Sequence, residues 1–345
     1  NFWNSVLRAK IKDTKPFIRT SEFLWQEGHT AHETKEEAEK QVNVMLKLYK
    51  DFVNEYLALP ILTGKKSDKE KFVGADYTLT LEGIMPDGKA LQMGTSHQLG
   101  QNFSKPFEIS FVGKDEEQHF VWQTSWGVSW RLMGALIMIH GDDKGLILPP
   151  KIAPIQVVII PIYYDEGKKN EIIKVIKKIK EQLDEKGVRS HVDSSEQHTP
   201  GWKFNQWEMK GVPIRVEIGP KDLDNNSLVV VKRNSRDKKN ITISDNLADH
   251  IMRELEIIQD ELFESAKMKH SEMIFKSDEY NELCNRLAND KGFIKSAWCG
   301  SRECEDKIKD ETGADVRLIE DEVISSSCIV CGNDATNSVY FAKSY

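Results

Sequence analysis

Four cysteines in the last part of the chain occur as two close pairs. Four residues separate Cys299 from Cys304, and two separate Cys328 from Cys331. Two paired thiols supply the four sulfur ligands of a closed tetrahedral zinc site, and a small domain gains folding free energy from such a metal. The spacing therefore predicts a structural Zn²⁺, with scattered buried thiols as the alternative. The fifth cysteine, Cys284, is predicted to be a core residue.

Four further segments combine arginines, histidines and aromatic residues. They are, in chain order, Pro16–His32, Thr95–Phe103, Trp126–Arg131 and Gly201–Pro220. Together they resemble the prolyl-tRNA synthetases of the archaeal and eukaryotic type, from about Val6 to the end of the chain. The resemblance implies ATP-dependent activation of L-proline to prolyl-adenylate and transfer to tRNA(Pro), with Mg²⁺ accompanying the ATP.

The resemblance assigns three arginines to catalysis. Arg8 would bridge the substrate carboxylate and the α-phosphate, Arg19 would lie near the nucleotide, and Arg131 would hold the γ-phosphate. Both reactants are anionic, and the planar fork of arginine binds a carboxylate or phosphate through two hydrogen bonds. A single arginine is more often half of a surface ion pair, but the ordered set of three favours the site. The other ATP contacts implied are Thr20, Gln92 and Thr95.

The proline pocket implied by the resemblance contains Trp25, Glu27, His29 and His97, together with Arg8. Alternation along a strand would point the first three side chains to one face. The apolar ring of proline suits an indole, and its secondary ammonium needs a carboxylate nearby. The alternative for a lone histidine or tryptophan is a satisfied core residue.

The segment 201–222 resembles the anticodon-binding domain shared by several class II synthetases. A bidentate arginine can read a guanine, and a carboxylate can accept from the N–H donors of that base. The alternative is an ordinary cross-strand pair of Arg215 and Glu217. Basic clusters at 174–180 and 232–239 could contact phosphates or could be solvated surface. The resemblance assigns the anticodon to Glu208, Arg215, Lys221 and Asp222.

Three positions depart from the family pattern. Lys10 stands where the family has a glutamate that faces adenine, Ser21 replaces an arginine, and Trp130 replaces a small residue before Arg131. These departures leave open a non-catalytic paralogue that binds tRNA or a regulator. Another class II synthetase, such as the threonyl or glycyl enzyme, is a second alternative, which the proline-pocket residues oppose.

The chain begins at Asn1, in what resembles the middle of a domain. The first motif of the family, which forms the homodimer interface, and a loop that grips the proline nitrogen would precede it. We therefore expect a homodimer for the full-length protein and a largely monomeric, inactive fragment for these residues alone. The gap of about 100 residues between the second and third motifs leaves no room for a large editing insertion.

The elements that must position these groups divide the chain into three predicted domains, in an α/β and α+β multidomain architecture. Residues 1–150 would form a partial class II catalytic domain on an antiparallel sheet. Residues 151–250 would form an α/β anticodon-binding domain, and residues 251–345 a small zinc-binding α+β domain. Pro149, Pro150 and Pro154 punctuate the first boundary.

Local patterns predict the main helices and strands. Thr34 and Glu37 form a capping box, and the helix after it would bury a stripe of apolar residues. Strands are expected within 70–100, at 157–160, near 215–218 and near 228–231. A short buried helix is expected over 132–139, a longer one with its stripe from Ile172 to Leu183, and a third from Leu247 to Leu262. The stripe of the first helix is Val42, Met45, Tyr49, Phe52 and Tyr56.

Bulk composition limits the class of protein. The chain has 345 residues, of which 39% are hydrophobic and 30% charged, with a net charge of −7. This composition predicts a soluble protein of two or three domains, and the charge gives no sign of nucleic-acid binding over the whole surface. No apolar run approaches the ~18 residues of a membrane span, and no signal peptide is visible. A cytoplasmic location without a membrane partner is therefore expected.

Overall fold

The computed structural model describes residues 1–9, 11, 13–163, 166–289 and 292–345, so Lys10 lies outside the described residues. These residues form two compact units. The first contains Asn1–Glu55, Leu59–Ile139 and Lys267–Tyr345, and the second contains Tyr56–Ala58 and His140–Ala266. In this part of the chain no helix is long and apolar enough to span a membrane.

The strands and helices are numbered along the chain. The strands are β1 (Phe2–Leu7), β2 (Glu22–His32), β3 (Leu62–Lys65), β4 (Tyr77–Ile84), β5 (Ala90–Gly100), β6 (Ser110–Val112), β7 (Gln118–Phe120), β8 (Trp122–Ser129), β9 (Val157–Pro161), β10 (Ser190–Val192), β11 (Ile214–Ile218), β12 (Ser227–Lys232), β13 (Lys238–Thr242), β14 (Ile274–Lys276), β15 (Phe293–Trp298), β16 (Asp315–Ser327) and β17 (Asp334–Ala342). The helices are α1 (Lys35–Asp51), α2 (Arg131–His140), α3 (Glu166–Glu185), α4 (Pro200–Met209), α5 (Pro220–Asp224), α6 (Leu247–Glu272), α7 (Tyr280–Asn289) and α8 (Arg302–Thr312), with a π-helical turn at Phe52–Tyr56.

A ten-stranded sheet forms the centre of the first unit. Its spatial order is β1-β2-β8-β5-β4-β3-β16-β17-β15-β14. Neighbouring strands are antiparallel except β14 and β15. The predicted antiparallel catalytic sheet is confirmed, and it carries the strands expected within 70–100. The C-terminal strands join this sheet through one bridge between Ile319 in β16 and Lys65 in β3.

Helix α1 begins where the sequence predicts. The Thr34 hydroxyl accepts a hydrogen bond from the backbone N–H of Glu37 at 3.2 Å. The Glu37 carboxylate accepts from the backbone N–H of Glu33 at 3.2 Å, so both side chains satisfy donors at the start of the helix. Val42 and Tyr49 are buried, as their spacing predicts.

The end of the α1 stripe was predicted wrongly. Phe52 and Tyr56 are 37% and 47% exposed, although both continue the apolar spacing of the helix. The backbone changes from an α-helix to a π-helical turn at Phe52. A π turn closes i→i+5 hydrogen bonds, so the residues that it contains rotate away from the stripe of the preceding helix.

The second unit contains the predicted α/β fold. Its five-stranded sheet has the order β10-β9-β11-β12-β13, with β10, β9 and β11 parallel and the last two strands antiparallel. All five residues of β9 are buried, which explains its continuous apolar run. The predicted stripes of α3 and α6 form one core with the sheet, and their buried residues are Ile172, Ile176, Ile179, Leu183, Leu247, Ile251, Leu255, Ile258 and Leu262.

The C-terminal residues from Lys267 onward belong to the same compact unit as the first 139 residues, apart from 56–58. Their own core includes Trp298, Cys304 and Cys328. A second cluster combines Ile84 and Ala90 with Phe293 and Leu318, so the two parts of the chain share apolar packing. The boundaries 150 and 250 drawn from the sequence remain predictions.

Candidate active site

A cavity of about 450 Å³ is lined by residues of β2, β5 and β8, by the segment before β2 and by the start of α2. Among its lining residues are nine of the ten assigned to ATP or proline from the sequence. His29, the tenth, lies further along β2, with Nε2 3.3 Å from Oε2 of Glu27. The nine are Arg8, Arg19, Thr20, Trp25, Glu27, Gln92, Thr95, His97 and Arg131.

Arg131, the first residue of α2, is held by two backbone carbonyl groups. Its Nε donates to the carbonyl oxygen of Ile18 at 3.0 Å, and Nη1 donates to that of Gln92 at 3.2 Å. Burial is the largest influence on its pKa, which is lowered from the usual value. The guanidinium is therefore oriented by carbonyl groups, and no described carboxylate lies within ion-pair distance of it, which leaves its charge available to an anion.

Arg8 and Arg19 bring two more positive charges to the same cavity. Cζ of Arg8 lies 5.0 Å from the ring centroid of Phe23, a cation–π distance. Within the described ranges, no carboxylate lies within ion-pair distance of Arg8, Arg19 or Arg131. The surface-ion-pair alternative has no support at these three positions, and the cavity presents three positive charges.

A bulge in β5 sets the position of the Gln92 carbonyl. Leu81 pairs with Gly94 and Glu82 pairs with Gln92, so Met93 is an extra residue on β5. Such a bulge bends the strand and redirects the neighbouring groups. It places the backbone of Gln92 where Arg131 can donate to it.

Two tryptophans lie at the apolar side of the cavity. Trp25 Nε1 donates to Oδ1 of Asn4 on the neighbouring strand. Trp126 packs directly over Gly28, where an added Cβ would lie 2.4 Å from the indole ring. Gly28 is therefore required for the close approach of this ring, and any larger residue would displace Trp126.

His97 is held through both ring nitrogens. Nδ1 lies 2.8 Å from Oγ1 of Thr78, and Nε2 lies 2.9 Å from Oγ1 of Thr95. Burial, and then the charge of His29, lowers the pKa of His97 to about 4. The ring is therefore neutral near pH 7.

The last residue of the chain also lines the cavity. Ser344 forms a bridge with Ala90 at the start of β5, which brings the Tyr345 ring to the site. The Tyr345 hydroxyl donates to Oδ1 of Asp87, and Nζ of Lys15 lies 4.3 Å from the centre of the ring. Burial and the Asp87 carboxylate raise the pKa of Tyr345.

The four residues assigned to the anticodon fall into two groups in the second unit. Glu208 and Arg215 line a cavity of about 230 Å³. Lys221 and Asp222 lie in α5, and the Asp222 carboxylate accepts from the backbone N–H of Gly219 at 2.8 Å. Asp222 therefore caps a helical turn in this structure.

Arg215 contacts two other side chains of the second unit. Its Nε lies 2.8 Å from Oε1 of Glu217 on the same strand, so the pair is not the cross-strand pair considered from the sequence. Its Cζ lies 4.5 Å from the ring centroid of Phe204. The guanidinium is thus held in place while it lines the cavity.

The two basic clusters differ in structure. Lys174, Lys177 and Lys178 are exposed along α3. In the second cluster, by contrast, Lys232 is buried with Nζ 2.6 Å from Oε2 of Glu254, and Arg233 is buried 2.6 Å from Asp142. These two residues therefore form buried ion pairs. A count of charges in the sequence could not distinguish such pairs from a phosphate-binding patch.

The four paired cysteines meet as their spacing predicts. One sulfur from each of Cys299, Cys304, Cys328 and Cys331 lies within 4.8 Å of the others. Cys299 Sγ is 3.7 Å from that of Cys304 and 3.8 Å from that of Cys331. A tetrahedral zinc site with Zn–S bonds of about 2.3 Å has sulfur atoms about 3.8 Å apart, so these residues fit the ion.

Three family models match separate parts of the chain. Residues 3–140 match the tRNA synthetase class II core domain (G, H, P, S and T), and residues 156–251 match an anticodon binding domain. Residues 280–345 match the C-terminal domain of prolyl-tRNA synthetase. The class II core and the anticodon domain expected from the sequence are confirmed.

Curated relatives extend the match to the whole chain. The chain is 52% identical over 345 residues to a proline–tRNA ligase of Cenarchaeum symbiosum, with 100% of this chain and 72% of the relative covered. The chain belongs to the prolyl-tRNA synthetase family. A second family member, the proline–tRNA ligase of Natranaerobius thermophilus, is 49% identical over 100% of this chain and 71% of its own length.

Solved structures of prolyl-tRNA synthetases also resemble this chain. The prolyl-tRNA synthetase of Cryptosporidium parvum complexed with L-proline and AMP matches with a TM-score of 0.94 and 41% identity, over 99% of this chain and 74% of that chain. The same synthetase complexed with halofuginone and AMPPNP matches with a TM-score of 0.93 and 40% identity, over 99% of this chain and 72% of that chain.

Several lining residues of this family member were not assigned from the sequence. Phe17 and Trp130 line the cavity with their rings 5.5 Å apart, edge to face. Trp126 and Tyr345 also line it. Trp130 was noted only as a departure from the family pattern, and its neighbour Arg131 was the available signal. The chain end resembles the family's terminal tail, which packs toward the catalytic domain, but the place of Tyr345 in the cavity depends on the bridge between Ser344 and Ala90.

Proposed function

We propose that this protein activates L-proline with ATP and transfers the prolyl group to tRNA(Pro). The observation that carries the proposal is the cavity in which Arg8, Arg19 and Arg131 adjoin the residues proposed to bind proline, with no described carboxylate within ion-pair distance of the three arginines. Family membership supports the choice of amino acid, and the likeness to a synthetase complexed with L-proline and AMP supports the choice of nucleotide.

The first step would join two anions within this cavity. A carboxylate oxygen of proline attacks the α-phosphorus of ATP, the bond from that phosphorus to the pyrophosphate oxygen breaks, and pyrophosphate leaves. Arg8 bridges the carboxylate and the α-phosphate, Arg19 lies near the nucleotide and Arg131 holds the γ-phosphate. Positive charge fixed in advance stabilises the charge that develops in the transition state. Mg²⁺ would enter as part of the Mg–ATP substrate and would neutralise part of the charge of the phosphates.

The second step transfers the activated amino acid. A ribose hydroxyl at the end of the tRNA attacks the carbonyl carbon of prolyl-adenylate, and AMP leaves. In the amino-acid pocket, Trp25 would contact the apolar ring, and Glu27 would receive the secondary ammonium. His29 would complete the wall of the pocket beside Glu27, and neutral His97 would line the pocket without adding a charge.

The anticodon would be read by the second unit. Glu208 and Arg215 line a cavity of about 230 Å³, and Arg215 offers a planar fork to a guanine edge. Lys221 and Asp222 are proposed as further anticodon contacts at the other end of β11. The proposal also includes a homodimer for the full-length protein and a cytoplasmic location, as the family resemblance implies.

Zn²⁺ would be held by Cys299, Cys304, Cys328 and Cys331. Four sulfur ligands leave no open coordination position, so the ion would stabilise the fold and contribute nothing to the chemistry. The turn that carries the second pair is already formed: the backbone N–H of Cys328 donates to the carbonyl oxygen of Asn333 at 2.7 Å, and that of Gly332 donates to Cys328 at 2.9 Å. Gly332 has φ +74°, which favours glycine.

ATP–pyrophosphate exchange by the full-length protein tests the proposal. Exchange should depend on proline and be far weaker with threonine or glycine, and the protein should then charge tRNA(Pro). Absence of proline-dependent exchange, with tRNA binding retained, would instead identify a non-catalytic paralogue. Stronger exchange with threonine or glycine would identify another class II synthetase.

A further inference from the structure

Thr78 is a buried residue behind the cavity that none of the assignments above uses. It lies in β4 directly opposite His97 in β5 and is 2% exposed. Its Oγ1 lies 2.8 Å from Nδ1 of His97 and accepts a hydrogen bond from the backbone N–H of Phe72 at 3.1 Å. The Phe72 ring packs against His97 with its centroid 5.1 Å from that of the imidazole. Thr78 therefore supports His97 without lining the cavity.

The bonds of Thr78 determine which nitrogen of His97 carries the proton. A threonine hydroxyl has one hydrogen to donate, and the backbone N–H of Phe72 can only donate to it. Among the described residues, Nδ1 of His97 is the acceptor within reach of that hydrogen. A buried hydroxyl hydrogen without an acceptor is costly, so Nδ1 accepts and the proton of the neutral ring lies on Nε2.

This tautomer determines what Thr95 offers to a ligand. Nε2–H of His97 donates to Oγ1 of Thr95 at 2.9 Å, so the hydrogen of the Thr95 hydroxyl is free to be donated elsewhere. Thr95 lines the cavity. In the opposite tautomer, the Thr95 hydroxyl would donate its hydrogen bond to His97 and would present only lone pairs to the cavity.

We propose that Thr78 is a positioning residue that makes Thr95 a hydrogen-bond donor toward an anionic oxygen of the bound ligand. The proposal rests on the proposed function, because that function supplies a carboxylate and phosphates to this cavity. The chain of donors runs from the Phe72 N–H through Thr78 and His97 to Thr95. The low pKa of His97, about 4, keeps a single proton on the ring near pH 7. The direction in which these hydrogen bonds are donated is therefore fixed.

Two variants of Thr78 separate the hydroxyl from the volume of the side chain. Thr78→Val keeps the shape and removes the hydroxyl, whereas Thr78→Ser keeps the hydroxyl. In pyrophosphate exchange by the full-length protein, Thr78→Val should raise KM about tenfold, with a smaller change in kcat, and Thr78→Ser should stay within about twofold of the wild type. A rise in the KM of proline would identify the carboxylate as the acceptor, and a rise in the KM of ATP would identify a phosphate.

Thr95→Val tests whether the two threonines act together. It should reproduce the loss in Thr78→Val, and the double variant should lose little more than either single variant, because both changes interrupt one chain of hydrogen bonds. Losses that multiply in the double variant would overturn the proposal. Unchanged KM values in Thr78→Val, or an equal loss in Thr78→Ser, would also overturn it.

The tautomer itself can be measured without catalysis. Nitrogen NMR of the full-length protein with labelled histidine should show His97 protonated on Nε2 at pH 7, and Thr78→Val should mix the two tautomers. A wild-type His97 protonated on Nδ1 would contradict the proposal. Failure of proline-dependent exchange would contradict the proposed function and leave this tautomer measurement intact, so the two failures are distinguishable.

Discussion

Nζ of Lys66 lies 2.7 Å from Oε1 of Glu82, and both side chains are excluded from solvent. The same carboxylate accepts from Nη2 of Arg317 at 3.0 Å, and Lys66 also donates to the carbonyl oxygen of Arg317 at 2.8 Å. Burial alone would raise the pKa of Glu82, but the charges of Lys66 and Arg317 hold it below its usual value. One buried anion therefore joins two cations that are 251 residues apart in the sequence.

The charge balance of this cluster predicts an order of stability losses. Glu82→Gln removes the anion that the two buried cations share, leaves Arg317 with a longer contact of 4.0 Å to Glu70, and should cost about 3–5 kcal/mol of unfolding free energy. Arg317→Met leaves the neutral pair of Lys66 and Glu82 and should cost clearly less. Urea denaturation of the three proteins measures both values. Equal losses in the two variants would contradict this charge account.

Arg131→Ala should reduce prolyl-adenylate formation by roughly two orders of magnitude or more, because it removes a charge aimed at the phosphates. ATP–pyrophosphate exchange by the full-length protein measures the change, and tRNA binding should stay nearly intact. Arg131→Lys keeps the charge but not the planar fork, so an intermediate rate is expected. Arg302→Ala, on an exposed residue of α8, is the control. An unchanged exchange rate in Arg131→Ala would refute the catalytic assignment.

Arg215→Ala should weaken charging of tRNA(Pro) by about 1–3 kcal/mol in kcat/KM, the usual contribution of a good base contact. Exchange without tRNA should not change, because Arg215 lies in the second unit. Arg215→Lys keeps the ion pair with Glu217 and tests whether the fork itself reads the base. If the wild type charges tRNAs with altered second and third anticodon bases equally well, Arg215 is ruled out as a residue that recognises the anticodon.

Zinc should be bound at one ion per chain by freshly purified protein. Cys304→Ser should lower the zinc content and increase hydrogen exchange in β15, β16 and β17, with little change in β2, β5 and β8. Cys284→Ser is the matched control, because Cys284 lies outside the cluster, and it should keep its zinc. Metal-free protein with all four thiols freely titratable under native conditions would exclude the site.

His270 should make the first unit sensitive to mild acid. It is buried, and burial lowers its pKa to about 4, below the ordinary value of about 6.5 in an unfolded chain. Between those pH values the unfolded state binds a proton that the folded state does not, so stability falls as the pH falls from about 6.5 to 4. The loss is of the order of 3 kcal/mol. Denaturation curves across this range should show a smaller loss of unfolding free energy in His270→Leu than in the wild type. An identical pH dependence in the two proteins would contradict the attribution of this loss to His270.

The sequence predicted features that depend on nearby residues. The cap at Thr34, the buried strand β9 and the stripes of α3 and α6 follow from local spacing and burial. The pairing of the cysteines was also predictable, because a small set of spacings suits a tetrahedral ion. The resemblance selected nine residues that the structure brings to one cavity, and their roles remain predictions.

Other features depend on distances that no local pattern contains. The bond from Thr78 to His97 requires the register of β4 against β5, and the position of Tyr345 requires the pairing of Ser344 with Ala90. Lys232 and Arg233 read as surface charge in the sequence, but their partners Glu254 and Asp142 bury them. The π-helical turn after α1 has no signal in the apolar spacing, and it reversed the expected burial of Phe52.

The bridge between Lys65 and Ile319 has a consequence for synthesis on the ribosome. The first unit is completed only when its C-terminal strands emerge, after all of His140–Ala266 has been translated. At roughly 5–20 residues per second, the early strands wait of the order of ten seconds for those partners. During that interval the second unit can fold first, while β3 still presents an unpaired edge to chaperones or to neighbouring nascent chains.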